Sequence, residues 1–216
     1  MSHIRAGGVV EPVGLAFRLP AGLRLTRLFL DSRRVLTCLL ILVACAVVLR
    51  VALQWLPRTG TLSRQIPLTI EAAAAAAIGV TTRSPFGDTE RAAGRWLPLL
   101  RLAAVVVTAG AALGLLAAAA AAKHLAGGIL DLLRDLGGFA GIALLAAAVV
   151  GGGLAWTGPL AYLAVAISAI EGSWTTPWVW PARPPHDHGA AICAAVVFTA
   201  GVAVHTLRGT RASARE

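Results

Sequence analysis

Between Gly137 and Ile170 the chain runs 34 residues without a charged side chain. Comparable apolar stretches begin near Val35, Ile66, Leu97 and Gly189. A bilayer interior offers no hydrogen bonds, so a chain that crosses it must satisfy its own backbone. About 20 apolar residues of helix span the roughly 30 Å involved. So many uncharged runs in 216 residues predict an all-α integral membrane protein. Charged residues make up 13% of the chain, where ordinary globular domains carry about 25%, which fits a surface that faces lipid.

Six spans account for the apolar runs: about 35–56, 66–82, 99–122, 138–152, 159–170 and 189–207. The long run is about 51 Å as one helix, too much for a single crossing. Its turn signals are Gly151-Gly152-Gly153 and Thr157-Gly158-Pro159, which place a turn between Gly151 and Gly158. Spans four and five are then short, and either cross fully or form a re-entrant pair. Span two is weakly hydrophobic, with six successive alanines, Ala72–Ala77. Small residues let helix backbones approach, so this span suits packing among neighbours better than facing lipid on all sides. Spans two and three together are expected to form the closely packed core. Leu125–Arg134 reads as a mildly amphipathic surface segment before span four.

The chain divides into an N-terminal interfacial segment (1–34), a transmembrane domain (35–207) and a basic tail (208–216). Within the first, Leu23, Arg24, Arg27 and Leu30 belong to a short basic amphipathic helix, the kind that lies among lipid headgroups. No cleaved signal peptide is expected, because the first apolar run starts late and continues past any small-residue site. Leu42-Val43-Ala44-Cys45 looks like a lipoprotein cleavage box, but the apolar run goes straight on through Val48 and Leu49.

Net charge is +9, and Lys123 is the only lysine. Basic residues on a membrane protein set topology and meet anionic lipid. No basic face interleaved with aromatics lies outside the spans, so nucleic acid is not expected as a partner. An even number of spans puts both termini on one side. Thirteen basic residues fall there: Arg5, Arg18, Arg24, Arg27, Arg33, Arg34, Arg83, Arg91, Arg95, Arg101, Arg208, Arg211 and Arg215. Six fall opposite or at the boundary: Arg50, Arg58, Arg64, Lys123, Arg134 and Arg183. The positive-inside rule places both termini in the cytoplasm of a plasma (inner) membrane protein.

Covalent chemistry is poorly supplied. With one lysine, after an alanine run, no phosphate-binding G-x-x-x-x-G-K-[ST] loop exists, and neither H-E-x-x-H nor G-x-S-x-G occurs. The reading is a non-enzyme without cofactor or metal. Cys38, Cys45 and Cys193 fall in apolar runs and read as small apolar side chains rather than disulfide partners. His186-Asp187-His188 alternates imidazole and carboxylate in a loop, but a metal site needs three or four ligands and a supporting shell, so it reads as solvated. Trp174, Trp178 and Trp180 read as interfacial anchors. Glu71 is the lone acid well inside a span. Either it is a polar group on a translocation route, or it sits near the span's outer end and pairs with Arg50 or Arg64.

The loop 83–95 is the one sizeable internal cytoplasmic loop. Ser84-Pro85 and the acids Asp88 and Glu90 are helix-start signals. With Phe86, Arg91, Arg95 and Trp96, this short helix reads as a docking element for a soluble partner.

The layout resembles the permease subunits of ATP-binding-cassette exporters of the second type. An interfacial basic helix leads into span one, and a cytoplasmic helix joins spans two and three. A glycine-rich span four, a short span five, an outer segment and a basic tail follow. The resemblance covers most of the chain and rests on layout. It implies a connecting helix at Leu23–Leu30 and a coupling helix at Pro85–Arg95, both touching a separate P-loop ATPase subunit. It also implies a second permease, the same or different, as partner. The chain departs from that family in its short spans four and five and in its proline-rich outer loop. The competing expectation is a non-transporting membrane scaffold or accessory subunit.

Overall fold

Apolar sequence freed from water's competition closes its backbone hydrogen bonds within itself, and among the described residues helices account for nearly all regular structure. The computed structural model describes residues 35–55, 60–82, 97–121 and 127–208. The expected interfacial helix (Leu23–Leu30), the docking helix (Pro85–Arg95) and the tail beyond Arg208 lie outside the described residues.

The described residues form six long helices: α1 (Val35–Trp55), α2 (Leu62–Thr81), α3 (Leu97–Ala120), α4 (Gly128–Val149), α5 (Thr157–Glu171) and α6 (His188–Arg208). Short 3-10 turns at Gly152–Leu154 and Trp180–Ala182 flank α5. Among the described residues, five segments are long and apolar enough to cross a membrane: Leu36–Trp55, Arg101–Ala120, Gly128–Val149, Gly152–Glu171 and His188–Arg208. α2 is not among them.

Helix α4 is the hub. About 67% of its membrane-length window is buried, against 22–28% for the other four. Glycine makes this place available. A Cβ at Gly141 would lie 2.6 Å from the Phe198 backbone of α6, and one at Gly201 would collide with the Gly141 carbonyl. These two helices therefore touch backbone to backbone, as small residues allow in lipid. Gly79 of α2 meets Ala143 in the same manner, its would-be Cβ 2.9 Å from the alanine methyl. On α1, Cys38, Leu42, Ala46 and Leu49 recur at helical spacing and pack with Ala112, Leu116 and Ala119 of α3 in the main core. The three cysteines are free thiols.

Several expectations change. The turn after α4 falls where the glycines put it, with Gly151 at φ 104°, a conformation that favours a residue without Cβ. Span four, however, begins at Gly128 rather than near Gly138, so the separate surface segment does not exist. Arg134 pairs with both Asp131 and Asp135, which offsets part of the cost of placing them in the helix and lets it run on. α2 likewise begins at Leu62, four residues before the expected Ile66. α2 does pack at the centre, with Ala72, Ala74 and Ala75 fully buried, but α3 does not share that place. Leu99, Val106 and Val107 stand exposed on it, and α4 fills the core position instead.

Candidate functional site

The first turns of α4 are amphipathic in the inverted sense. Ile129 and Leu133 are 62% and 51% exposed, whereas Arg134 and Asp135 are each 7% exposed. In water this arrangement would be unfavourable on both faces. In a bilayer the apolar face is solvated by lipid and the ionisable face turns into the bundle. Arg134 is shared between the two acids. Arg134 Nη2 lies 3.0 Å from Asp131, and its Nε donates to Asp135 Oδ1 at 2.9 Å. Its Nη1 donates to the Pro184 carbonyl at 3.0 Å, which ties α4 to the loop before α6.

Opposite this cluster stands Glu71 of α2, 3% exposed. Its Oε2 has no hydrogen-bond partner among the described residues. A cavity of about 40 Å³ lies between the elements, lined by Ser63, Arg64, Pro67, Glu71, Asp131 and Asp135 together with Leu68, Gly127, Ile170 and Pro181. It has room for about three waters. Pro67 has no N–H, so the Ser63 carbonyl one turn earlier loses its ordinary helical donor, which adds polarity to the lining. Arg64 and Glu71 are seven residues apart, two helical turns, and share one face.

The segment 172–187 closes this end of the bundle. Arg64 Nη2 donates to the Arg183 carbonyl at 3.2 Å, and Arg183 Nη1 donates to the Thr175 carbonyl at 2.9 Å. Arg183 Nε donates to Asp187 Oδ2 at 2.6 Å. Asp187 in turn caps α6, accepting from the Ala190 N–H at 3.1 Å. That N–H, followed by the Arg183 guanidinium, holds the Asp187 carboxyl below the usual carboxylate range. Gln65 Nε2 donates to Glu171 at 3.2 Å, joining the start of α2 to the end of α5. Tyr162 of α5 donates to the Trp178 carbonyl at 2.7 Å, and its ring stacks on Trp180 with centroids 4.5 Å apart.

The cavity therefore sits beneath a strap of proline and tryptophan held by arginines from two helices and from the strap itself. Trp174 and Trp178 are exposed, consistent with the anchoring expected of them. Trp180 is not an anchor. It is buried over Gly138, where any side chain would strike the indole. Glu71 pairs with neither Arg50 nor Arg64. Arg50 donates instead to the carbonyls of Ala119 and Ala121, at 3.2 and 2.6 Å, at the end of α3. His186-Asp187-His188 is a helix start built on the Asp187 cap, and no group of three or more His, Cys, Asp or Glu among the described residues is placed to hold a metal.

Of the residues singled out in the sequence, Glu71 alone falls in this site. Pro85, Phe86, Asp88, Glu90, Arg91 and Arg95, like Leu23, Arg24, Arg27 and Leu30, lie outside the described residues. Arg64 enters the sequence reading as a candidate partner of Glu71, and Asp131, Arg134 and Asp135 do not enter it as site residues. The signal that could have found them is the 3.6-residue alternation of Ile129 and Leu133 with Asp131, Arg134 and Asp135, once the solvent is taken to be lipid. No protein-family model, no curated protein and no solved structure matches the chain.

Proposed function

We propose that the chain is the membrane-spanning permease subunit of an ATP-driven transporter in the plasma membrane. It works with a separate P-loop ATPase subunit and a second permease, the same or different. The observation that carries this reading is the inward-turned cluster of Glu71, Asp131, Arg134 and Asp135, buried between apolar helices. A helix that merely anchors a complex can be apolar throughout. Ionisable groups inside a bundle are expensive and characteristically line a solute or ion route.

In this reading α2 is a sixth crossing. It packs against helices α1, α4 and α5, and half of its residues are buried, so its modest hydrophobicity is tolerated. Six crossings put both termini on one side, and the arginine distribution makes that side cytoplasmic. The strap 172–187 then caps the cavity from outside. The docking helix expected at Pro85–Arg95 would then lie on the inner face, where Phe86 and Arg91 would receive the ATPase. Closure of an ATPase pair would push this helix and move the two permeases as bodies, opening the route in the alternating manner.

The test is purification of the full chain from its native membrane. A P-loop ATPase is expected to accompany it and to be lost in Phe86→Asp or Arg91→Glu. A complex unchanged in both variants removes the docking role. A complex without any ATPase supports the non-transporting scaffold instead.

A further inference from the structure

We propose that Glu71 is a proton-binding site whose occupancy controls the strap 172–187. The site is independent of whether an ATPase drives the protein. Three observations meet here. Glu71 is 3% exposed, and its Oε2 has no hydrogen-bond partner among the described residues. It lines the small polar cavity together with Asp131, Asp135 and Arg64. The two arginines nearest these carboxylates are the same two that hold the strap, through the carbonyls of Arg183 and Pro184.

Charge bookkeeping singles out Glu71. Arg134 is in direct contact with both Asp131 and Asp135. The α4 cluster thus has two acids on one cation, and a third carboxylate faces it across the cavity. Arg64 also lines the cavity but is engaged with the Arg183 carbonyl, and the other neighbours bring no further cation to it. Arg50, the one charged residue of α1, is engaged at the end of α3, and Arg101, the one charged residue of α3, lies at the opposite end of the bundle. α5 offers Ile170 to the lining, and its Glu171 is held by Gln65. In the strap, Arg183 is paired with Asp187 and Pro181 is the lining residue, with His186 next to Asp187 in sequence. An isolated buried carboxylate costs far more than a neutral acid, so the group is stable when it carries a proton. A metal ion would need three or four ligands, and Arg134 already competes for Oδ1 of both Asp131 and Asp135.

The coupling follows from Arg64. With Glu71 protonated, the Arg64 guanidinium has no anion on its own helix face and donates to the Arg183 carbonyl, which keeps the strap closed. When the proton leaves to solvent, the new carboxylate two turns along the same face draws Arg64 toward the cavity. The Arg183 carbonyl loses its donor and the strap loosens. The proton is taken up again from the aqueous side at the strap end, so the cycle is a binding equilibrium with no other reactant.

The experiment uses the full chain in lipid nanodiscs, with infrared difference spectra and tryptophan emission recorded across a pH titration in sodium-free buffer. The expected result is a protonated-carboxyl C=O band that titrates in the wild type, is absent in Glu71→Gln and persists in Asp131→Asn. Tryptophan emission should change over the same pH interval, flatten in Glu71→Gln and vanish in a Trp174→Phe/Trp178→Phe double variant. Glu71→Asp should keep the band at a displaced midpoint, so the assignment stands even if the glutamine variant does not assemble. A band unchanged in Glu71→Gln or unmoved in Glu71→Asp overturns the proposal, and so does a wild type that shows no such band. Loss of the band on adding Na⁺ at fixed pH overturns it too, in favour of a metal-cation site.

Discussion

Helices α2 and α3 are built from similar material and occupy opposite places. Both are rich in alanine. In α2, Ala72, Ala74 and Ala75 are fully buried. In α3 only about 22% of the central window is buried, and Leu102, Val106 and Val107 face outward. The difference lies in what accompanies the alanines. α3 carries large apolar side chains that lipid solvates well. α2 carries Arg64, Gln65 and Glu71 among its apolar residues, and its large ones, Leu68, Ile70 and Ile78, are themselves buried. Lipid tails are as apolar as leucine, so burial of oily surface does not decide which helix goes inside. Close packing and polar contacts decide, and the helix that lipid solvates least well takes the interior. The same rule turns the charged face of α4 inward and its Ile129 and Leu133 outward.

The strongest way to break this comparison is to add volume at glycines on inner and outer helices. Gly141→Val places its Cβ 2.6 Å from backbone atoms of Phe198, which cannot rotate away. α4 and α6 must separate, at a cost beyond the roughly 1–3 kcal/mol of ordinary overpacking. The expected outcome is loss of the monodisperse peak on size exclusion in detergent. Gly114→Val on α3 meets nothing within 4 Å. It is expected to change stability by no more than about 0.5 kcal/mol. Equal damage from both would mean that the outer face of α3 is covered by another subunit rather than by lipid.

A milder pair sharpens the contrast between α2 and α3 themselves. Ala75→Leu forces three extra carbons into a site with no exposure. It is expected to destabilise by about 1–3 kcal/mol in unfolding by SDS. Ala118→Leu, on the exposed side of α3, is expected to stay within about 0.5 kcal/mol. Matching effects would show that alanine content alone, and not burial, governs both helices.

Much of this architecture is legible in the sequence, and the exceptions have one origin. The turn near Gly151, the burial of the alanine run in α2 and the exposure of Trp174 and Trp178 follow from local chemistry. The start of α4 does not, because Asp131, Arg134 and Asp135 look like the polar face of a surface helix until their mutual pairing is known. Trp180 misleads in the same way. An indole beside prolines in a loop reads as an anchor, and only the absence of a side chain at Gly138, one helix away, lets it fold inward. The cavity at Glu71 is the least legible feature. It is formed by α2, α4, α5 and the strap, elements distant in sequence, with α2 and α4 brought together at Gly79 and Ala143. Local periodicity carries no record of that contact.

The smallest effect concerns how α3 keeps its outer position. The last carbonyls of a helix have no partner within it and carry partial negative charge, so a guanidinium is well placed there. Arg50 of α1 fills that role at Ala119 and Ala121. Arg50→Gln removes the charge and shortens the reach, at a cost of about 1 kcal/mol, since the site is only half-buried. Loosely packed helix ends open locally before the whole protein does. Amide exchange should therefore accelerate at 117–121 while the amides of 72–78 in α2 keep their protection. If the α2 amides loosen in step, α3 is not held separately and the division into inner and outer helices fails. If neither segment responds, packing by Leu116 and Ala112 alone keeps α3 in place and the arginine is dispensable.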